Sequence, residues 1–294
     1  MRKFDPKVMK IVMDGTLEER KYICEREPAY FEAYYFSEYL THPFAPFHWD
    51  FFADIKGLVD GTIKEAAWIA FRESAKTSIA KTALACWAIC FKKKKYINWD
   101  SYDKDNAESA LFDIAVSLQT NPKIVSDFGN LYRQTENTAF FESKIKRLNN
   151  FITENGVRVE AFSTQESTRG RLYKAQRPDL FILDDIENNK TKESVVVIQK
   201  IISHVDEMRS GLAADGAILY LGNYITEEGV IAHILHTLKR MPNAVARNIP
   251  VVDAKGIRAW PGKYVRTDES AAEINRDRPK EEWVISLEAK ERDL

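Results

Sequence analysis

Residues 70–78, AFRESAKTS, set Ala70, four further residues, Ala75, Lys76 and Thr77 in a row. The phosphate-binding loop of nucleoside triphosphatases has the same spacing, G-x-x-x-x-G-K-[ST]. Its backbone N–H groups cradle phosphates, its lysine reaches the terminal phosphates and its hydroxyl serves Mg²⁺. Both glycines are alanine here, which keeps the side chains small but restricts φ, so context must carry the assignment. Residues 66–71, AAWIAF, form a short apolar run suited to a buried strand, and residues 77–91, TSIAKTALACWAICF, read as a helix starting at Thr77 and Ser78. Strand, tight loop and helix is what the loop requires, and the helix N-terminus adds its partial positive charge to that of Lys76. Glu73, Ser74, Ala75, Lys76, Thr77 and Ser78 are the expected phosphate-side residues. The plainer alternative is an ordinary strand-to-helix turn that happens to contain Lys-Thr.

Residues 180–188, LFILDDIEN, supply the second half of such a site. Leu180 to Leu183 make a buried strand, and Asp184, Asp185 and Glu187 follow at its exposed end. A carboxylate placed there holds Mg²⁺ together with the loop hydroxyl, while a neighbouring acid orients or deprotonates the attacking water. Thr77 and Asp184 are the expected metal residues, with ATP and Mg²⁺ as the implied cofactors. The water-activating acid is Asp185 or Glu187, and the sequence leaves both open.

The chain has 294 residues and a formal charge of −1, from 43 basic and 44 acidic residues. Its 45% hydrophobic content suffices for one large core or two modest ones. The balanced charge gives no global pull toward nucleic acid, so any such contact must come from local patches. Cys24, Cys86 and Cys90 are too few and too scattered for a disulfide framework. Cys86 and Cys90 read as core of the apolar helix, which points to a reducing compartment. No apolar stretch is long enough to span a membrane, and MRKFDPKVMKIV lacks the apolar block of a signal peptide, so cytoplasm is the expected location.

Residues 1–60 read as a helical, aromatic-rich N-terminal segment (AYFEAYYFSEYL) that ends in the turn-forming HPFAPFHWDFF. From 61 to 240, strand-like runs alternate with helical stretches: AAWIAF, the helix to Phe91, YINWDS, a helix near 104–119, VRVEAFS, LFILDD, a helix over 191–213, and AILYLGN. That alternation predicts an α/β core with a largely parallel sheet, whose ligands bind beyond the carboxyl ends of the strands. Both motifs lie at such ends. Residues 241–294 are less regular and read as a small subdomain trailing into a charged tail.

Taken in order, FRESAKTS, YINWDSYDKDNAES, NPKIVSDFGNL, STRGRLYKAQRPDLFILDDIEN and ILYLGNYITEEGVIAHIL resemble the ATPase domain of the large terminase subunit of tailed bacteriophages, over roughly residues 40–265. That family is the motor that packages DNA into proheads. The resemblance implies a P-loop NTPase of the additional-strand (ASCE) type, with a mostly parallel central sheet flanked by helices, a helical N-terminal segment over 1–60, and a lid or linker subdomain over 241–294. It maps the arginine of the family's variant phosphate loop onto Arg72, a coupling motif onto Leu221, Gly222 and Asn223, and adenine contacts onto Phe47 and His48 of PFHWDFF. It also implies that Arg169, with Arg171 close behind, reaches the neighbouring subunit's γ-phosphate as a catalytic finger. Double-stranded DNA, the portal of the prohead, the small terminase subunit and further copies of the chain in a pentameric ring are the implied partners. The implied location is the host cytoplasm, with no membrane involved. Two departures stand out: both loop glycines are missing, and Asp185 stands where the family usually carries Glu.

Several of these residues also have a plainer reading. Phe47, Trp49 and Phe51 read equally as core, Arg169 and Arg171 as solvated loop cations, and Asn223 as part of a Gly-Asn turn instead of a γ-phosphate sensor. Arg177, next to Pro178, reads as structural. Lys92 to Lys95 close the phosphate-loop helix, where cations suit the dipole, and read as a solvated end instead of a DNA contact. His42, His48, His204, His233 and His236 lack metal-ligand spacing, and His233 and His236 decorate a helix. A complete large terminase also carries a ribonuclease-H-type nuclease domain. The stretch after residue 241, with Asp253, Asp268 and Asp277 in irregular surroundings, is too short for that fold. The expectation is a Mg²⁺-dependent ATPase that drives translocation of double-stranded DNA. Its rivals are a helicase-like nucleic-acid-dependent ATPase and a non-hydrolysing nucleotide-binding scaffold, the latter favoured by the alanine-for-glycine exchanges.

Overall fold

The apolar runs become strands. In a computed structural model that describes residues 3–132, 148–167, 170, 172–188, 191, 194–276 and 278–287, AAWIAF contributes β1 (Glu65–Ala70) and YINWDS β2 (Tyr96–Ser101). A short β3 (Asn150–Ile152) precedes β4 (Arg158–Ser163), β5 (Leu180–Asp184), β6 (Ala217–Gly222) and β7 (Ala244–Ile249). They form one 7-stranded sheet, in the order β3-β4-β2-β5-β6-β1-β7. All neighbours are parallel except β3 against β4. β1, β2, β5 and β6 are buried along their whole length, which is why their sequences are nearly continuous apolar runs and not alternating ones. The strand β6 stands between β1, which leads into AFRESAKTS, and β5, which ends in the acids.

Each face of the sheet carries its own core. On one face the helical segment after β1, the helix Lys104–Thr120 and the N-terminal helices pack on Trp68, Ile97, Trp99 and Ile182. On the other, the helices Val195–Gly211 and Val230–Leu238 cover Ile69, Phe181, Leu183 and Tyr220. Cys24, Cys86 and Cys90 are buried and unbridged, as their spacing implied. No helix among the described residues is long and apolar enough to cross a membrane.

The N-terminal residues belong to the first core and are not an appendage to it. The helix Pro46–Asp60 begins inside the stretch expected to turn, because proline at the first helical position sacrifices no hydrogen bond. It stacks Phe51 on Trp68 with ring centroids 4.2 Å apart, and Asp54 accepts from Trp68 Nε1 at 2.9 Å and from Arg247 of β7 at 2.6 and 2.7 Å. Trp87 Nε1 donates to the Cys24 carbonyl at 2.8 Å, and Arg20 and Tyr35 both bind Asp127.

β7 carries the sheet past the boundary expected at residue 240, pairing with β1 from Glu65↔Ala244 to Ala70↔Ile249. The residues after it fold back over the AFRESAKTS side, where Trp260 Nε1 donates to the Pro43 carbonyl at 2.8 Å. The lysine run is not a uniformly solvated end. Lys94 is buried, which lowers its pKa, and Lys93 pairs with Glu25 at 2.7 Å.

Candidate nucleotide-binding site

The loop after β1 contains two left-handed residues, Glu73 with φ 64° and Ala75 with φ 64° and ψ 9°. Ala70 closes β1 outside that region. Only the second of the two glycine positions therefore calls for glycine's freedom, and alanine holds it at about 1–2 kcal/mol. Side chains from elsewhere hold the loop: His48 Nε2 donates to the Ser74 carbonyl at 2.9 Å, and Lys263 Nζ donates to the Glu73 carbonyl at 3.1 Å. His48 Nδ1 accepts the Ala45 N–H at 2.9 Å, which fixes the ring proton on Nε2, and burial pushes its pKa down to about 4. The ring is thus a neutral donor throughout the physiological range. In a trans peptide the carbonyl and the following N–H point opposite ways, so the bond to Ser74 turns the Ala75 N–H away from His48.

Lys76 opens a helical segment that runs to Cys90 and widens to π-type over Ala80–Cys86. Its side chain is buried, and Nζ donates to Asn223 Oδ1 just beyond β6 at 3.2 Å. Burial lowers the Lys76 pKa, against the pull of Asp185 and Asp184. Thr77 Oγ1 donates to Asp184 Oδ1 at 3.1 Å. Burial, and then the neighbouring Asp185, push Asp184 up to about 7. A buried carboxylate at hydrogen-bond distance from a hydroxyl, with its charge under-compensated, fits a divalent cation whose other ligands are phosphate oxygens and water. Among the described residues no cluster of three or more His, Cys, Asp or Glu forms a self-sufficient metal site. Ser74 Oγ is buried in the loop with no hydrogen-bond partner among those residues.

The two acids that the sequence left open separate here. Asp185 is exposed at the turn with φ 48°, its N–H on the Leu221 carbonyl at 3.2 Å, and it acts electrostatically on Lys76. Glu187 is buried and commits both oxygens to the helix Val230–Leu238, accepting from Val230 N at 3.1 Å and Ile231 N at 2.9 Å. Gly229 makes room for it, since a Cβ there would lie 2.1 Å from Glu187 Oε1. Glu187 therefore caps a helix, and Asp185 is the acid beside the site.

Phe47 takes the core reading. It is buried, its ring meets Phe51, Phe71 and Trp260 edge-on at 5.4, 5.9 and 6.3 Å, and it does not line the cavity over Lys76. Both nitrogens of His48 are engaged, so it braces the loop and has none left for adenine. His48 does line a cavity of about 880 Å³ that opens over Lys76, Thr77 and Ser78, together with Phe44, Trp260 and Lys263. Arg72 and Glu73 are exposed at the loop tip. Arg177 donates to the Ser210 carbonyl at 2.9 Å, a structural role, and His204 pairs with Asp100 at 2.6 Å on the far side of β2 from the phosphate-loop helix. Arg169, Arg171 and Asp277 lie outside the described residues. Sequence reading missed Lys263 and Trp260, whose one local signal is AWPGKY, a Trp and a Lys on either side of a Pro-Gly turn.

No protein-family model and no curated protein matches the chain. Among solved structures it is similar to a DEAD box protein from the hyperthermophile Methanococcus jannaschii, with 14% identity and a TM-score of 0.41 over 76% of this chain and 55% of that one. It is also similar to S. cerevisiae Dbp5 bound to Nup159, Gle1, IP6 and ADP, with 11% identity and a TM-score of 0.42 over 88% of this chain and 69% of that one. The chain thus spans about half the length of the first of these. Likeness at that level does not select a substrate. Strand order and loop geometry carry the conclusion that this is a mostly parallel α/β sheet of the P-loop type.

Proposed function

We propose that the chain binds ATP with Mg²⁺ at the carboxyl edge of the sheet and hydrolyses it in coupling to a nucleic acid. The observation that carries this reading is the convergence of three distant stretches on one point: Lys76 on Asn223, and Thr77 on Asp184, at the ends of β1, β6 and β5. The position of β6 between β1 and β5 supports the additional-strand class. Lys76 and the loop N–H groups bind the phosphates, with Ser74 Oγ as a further donor. Thr77 and Asp184 would hold the cation, which would supply neutralisation of phosphate charge. Asp185 orients the attacking water and accepts its proton. Asn223, already hydrogen-bonded to Lys76, would respond to the terminal phosphate.

The finer reading is a motor of the large-terminase type, packaging double-stranded viral DNA through a prohead portal in the host cytoplasm with the small terminase subunit. The ordered motif set supports it, and a pentameric ring would let Arg169 or Arg171 of one copy complete the site of the next. A strand-separating helicase would use the same site, and an assembly scaffold the same fold. Hydrolysis measured with and without Mg²⁺, with duplex and single-stranded DNA, and across protein concentrations separates the three. The motor reading expects Mg²⁺-dependent turnover whose specific activity rises with concentration, no strand separation, and a loss of about 100-fold or more in Lys76→Ala with the fold intact. Strand separation would move the reading to a helicase, and silence under every condition to a scaffold. Unchanged turnover in Lys76→Ala would sink the site itself.

A further inference from the structure

The residues after β7 reach back to the phosphate loop through three neighbouring side chains. Trp260 is the anchor: its Nε1 donates to the Pro43 carbonyl at 2.8 Å, and its indole meets His48 edge-on at 4.6 Å. Tyr264 is fully buried, packs edge-on against Phe71 and hydrogen-bonds to the Glu73 side chain. Between them Lys263 Nζ donates to the Glu73 carbonyl at 3.1 Å and lies 3.4 Å from Glu73 Oε2. The Lys263 side chain is 16% exposed and lines the same cavity as Lys76, Thr77 and Ser78, whereas that of Glu73 is 55% exposed. A cation is thus held at the mouth of a polyphosphate site by a carboxylate that faces water. An ion pair with so exposed a member is weak, and a polyphosphate offers an ammonium more negative charge than one carboxylate does.

We propose that Lys263 is a second phosphate-binding cation of this site, supplied by the C-terminal segment, and that it exchanges the Glu73 carboxylate for a phosphate oxygen when a nucleoside triphosphate binds. The proposal rests on the nucleotide reading of the site. Because Trp260 packs on His48, which holds the Ser74 carbonyl, the segment reaches the loop directly at Glu73 and, through His48, at Ser74. Occupancy of the loop is thereby relayed to the residues after β7.

Binding of ATP and of inorganic tripolyphosphate, each with Mg²⁺, is measured by calorimetry on the full chain for wild type, Lys263→Gln, Lys263→Arg and Glu73→Gln. Lys263→Gln is expected to weaken both ligands about tenfold, the loss of one charge-assisted hydrogen bond, and Lys263→Arg to restore most of it. Glu73→Gln, which releases Lys263 from its carboxylate, is expected to bind at least as tightly as wild type. If Lys263 only props the loop, Lys263→Gln and Glu73→Gln weaken binding alike, and that result overturns the proposal. So does an unaltered affinity in Lys263→Gln. Should Lys263→Gln fail to fold, weakened binding in Glu73→Gln is still enough to overturn it. A wild type that binds neither ligand defeats the nucleotide reading beneath it, whereas tight wild-type binding lost in Lys76→Ala but not in Lys263→Gln defeats this proposal alone.

Discussion

The two ends of the sheet treat buried polar groups in opposite ways. At the amino ends, Glu65 of β1 accepts from Arg209 Nε at 3.1 and 3.2 Å, from Arg209 Nη2 at 3.0 Å and from the Tyr220 hydroxyl at 2.7 Å. Asp179, just before β5, accepts the backbone N–H groups of Lys95 and Tyr96 at 2.8 and 2.9 Å. Each carboxylate oxygen there has a partner. At the carboxyl ends, Ser74 Oγ, Asp100 Oδ1, Ser101 Oγ and Thr164 Oγ1 are buried without one among the described residues. One end is closed by its own side chains and the other is left incomplete. Unfinished polar groups in a parallel α/β sheet gather where its ligands bind, so the contrast marks the same end of the sheet as the two motifs.

Breaking the closed end should have the largest effect. Arg209→Ala leaves Glu65 buried beside Tyr220 without its cation, which costs about 3–5 kcal/mol of stability and lowers the urea midpoint. Turnover per folded molecule should be unchanged; a specific loss of hydrolysis would show that the two ends are not separate. At the open end the pattern reverses within a single turn. Asp185→Asn should cut kcat about 100-fold with little change in stability, whereas Glu187→Gln should lose about 1 kcal/mol as a helix cap and keep its rate. Melting curves and steady-state rates on the same two variants decide this. Hydrolysis lost in Glu187→Gln but retained in Asp185→Asn would reverse the assignment of the water-activating acid.

Glu32 extends the open end along the cavity wall. It is buried with Oε2 unpartnered, and burial pushes its pKa from 4.5 up to about 8. The folded protein keeps this proton to about pH 8 while the unfolded chain loses it near 4.5. Folding therefore takes up a proton between those values, and the stability that Glu32 contributes is full below 4.5 and lost as pH rises toward 8. Glu32→Gln mimics the protonated form. It should be clearly more stable than wild type at pH 8 and by much less at pH 5. Thermal melts at the two pH values test this, and an equal gain at both would remove titration as the cause.

What could be read from the sequence follows the same division between local and distant. AFRESAKTS and LFILDDIEN are legible because strand, turn and helix are consecutive there, and buried strands show as unbroken apolar runs. AVARNI of β7 escaped because it is an edge strand, half-buried, with Arg247 and Asn248 in its pattern. The role of Glu187 depends on a helix 43 residues later and that of Lys263 on a loop 190 residues earlier, so neither partner is visible from its neighbours. Phe47, which reads equally as adenine contact and as core, packs as core because the helix starts at Pro46 and its ring meets Phe51 and Phe71. The region of Arg169 and Arg171, which the resemblance made catalytic, lies outside the described residues.

The smallest expected effect concerns the alanines themselves. Ala75 sits at φ 64° in the loop of the open end, whereas Ala70 lies in β1 outside the left-handed region. Restoring the usual glycine at each should then shift stability in opposite directions. Ala75→Gly relieves a left-handed Cβ and gains about 1 kcal/mol, while Ala70→Gly adds backbone freedom inside a buried strand and loses about 0.5–1 kcal/mol. Denaturant midpoints of the two variants read the difference directly. If both lower it, the bonds from His48 and Lys263 hold Ala75 without net strain, and the contrast between the two ends of the sheet is one of electrostatics alone.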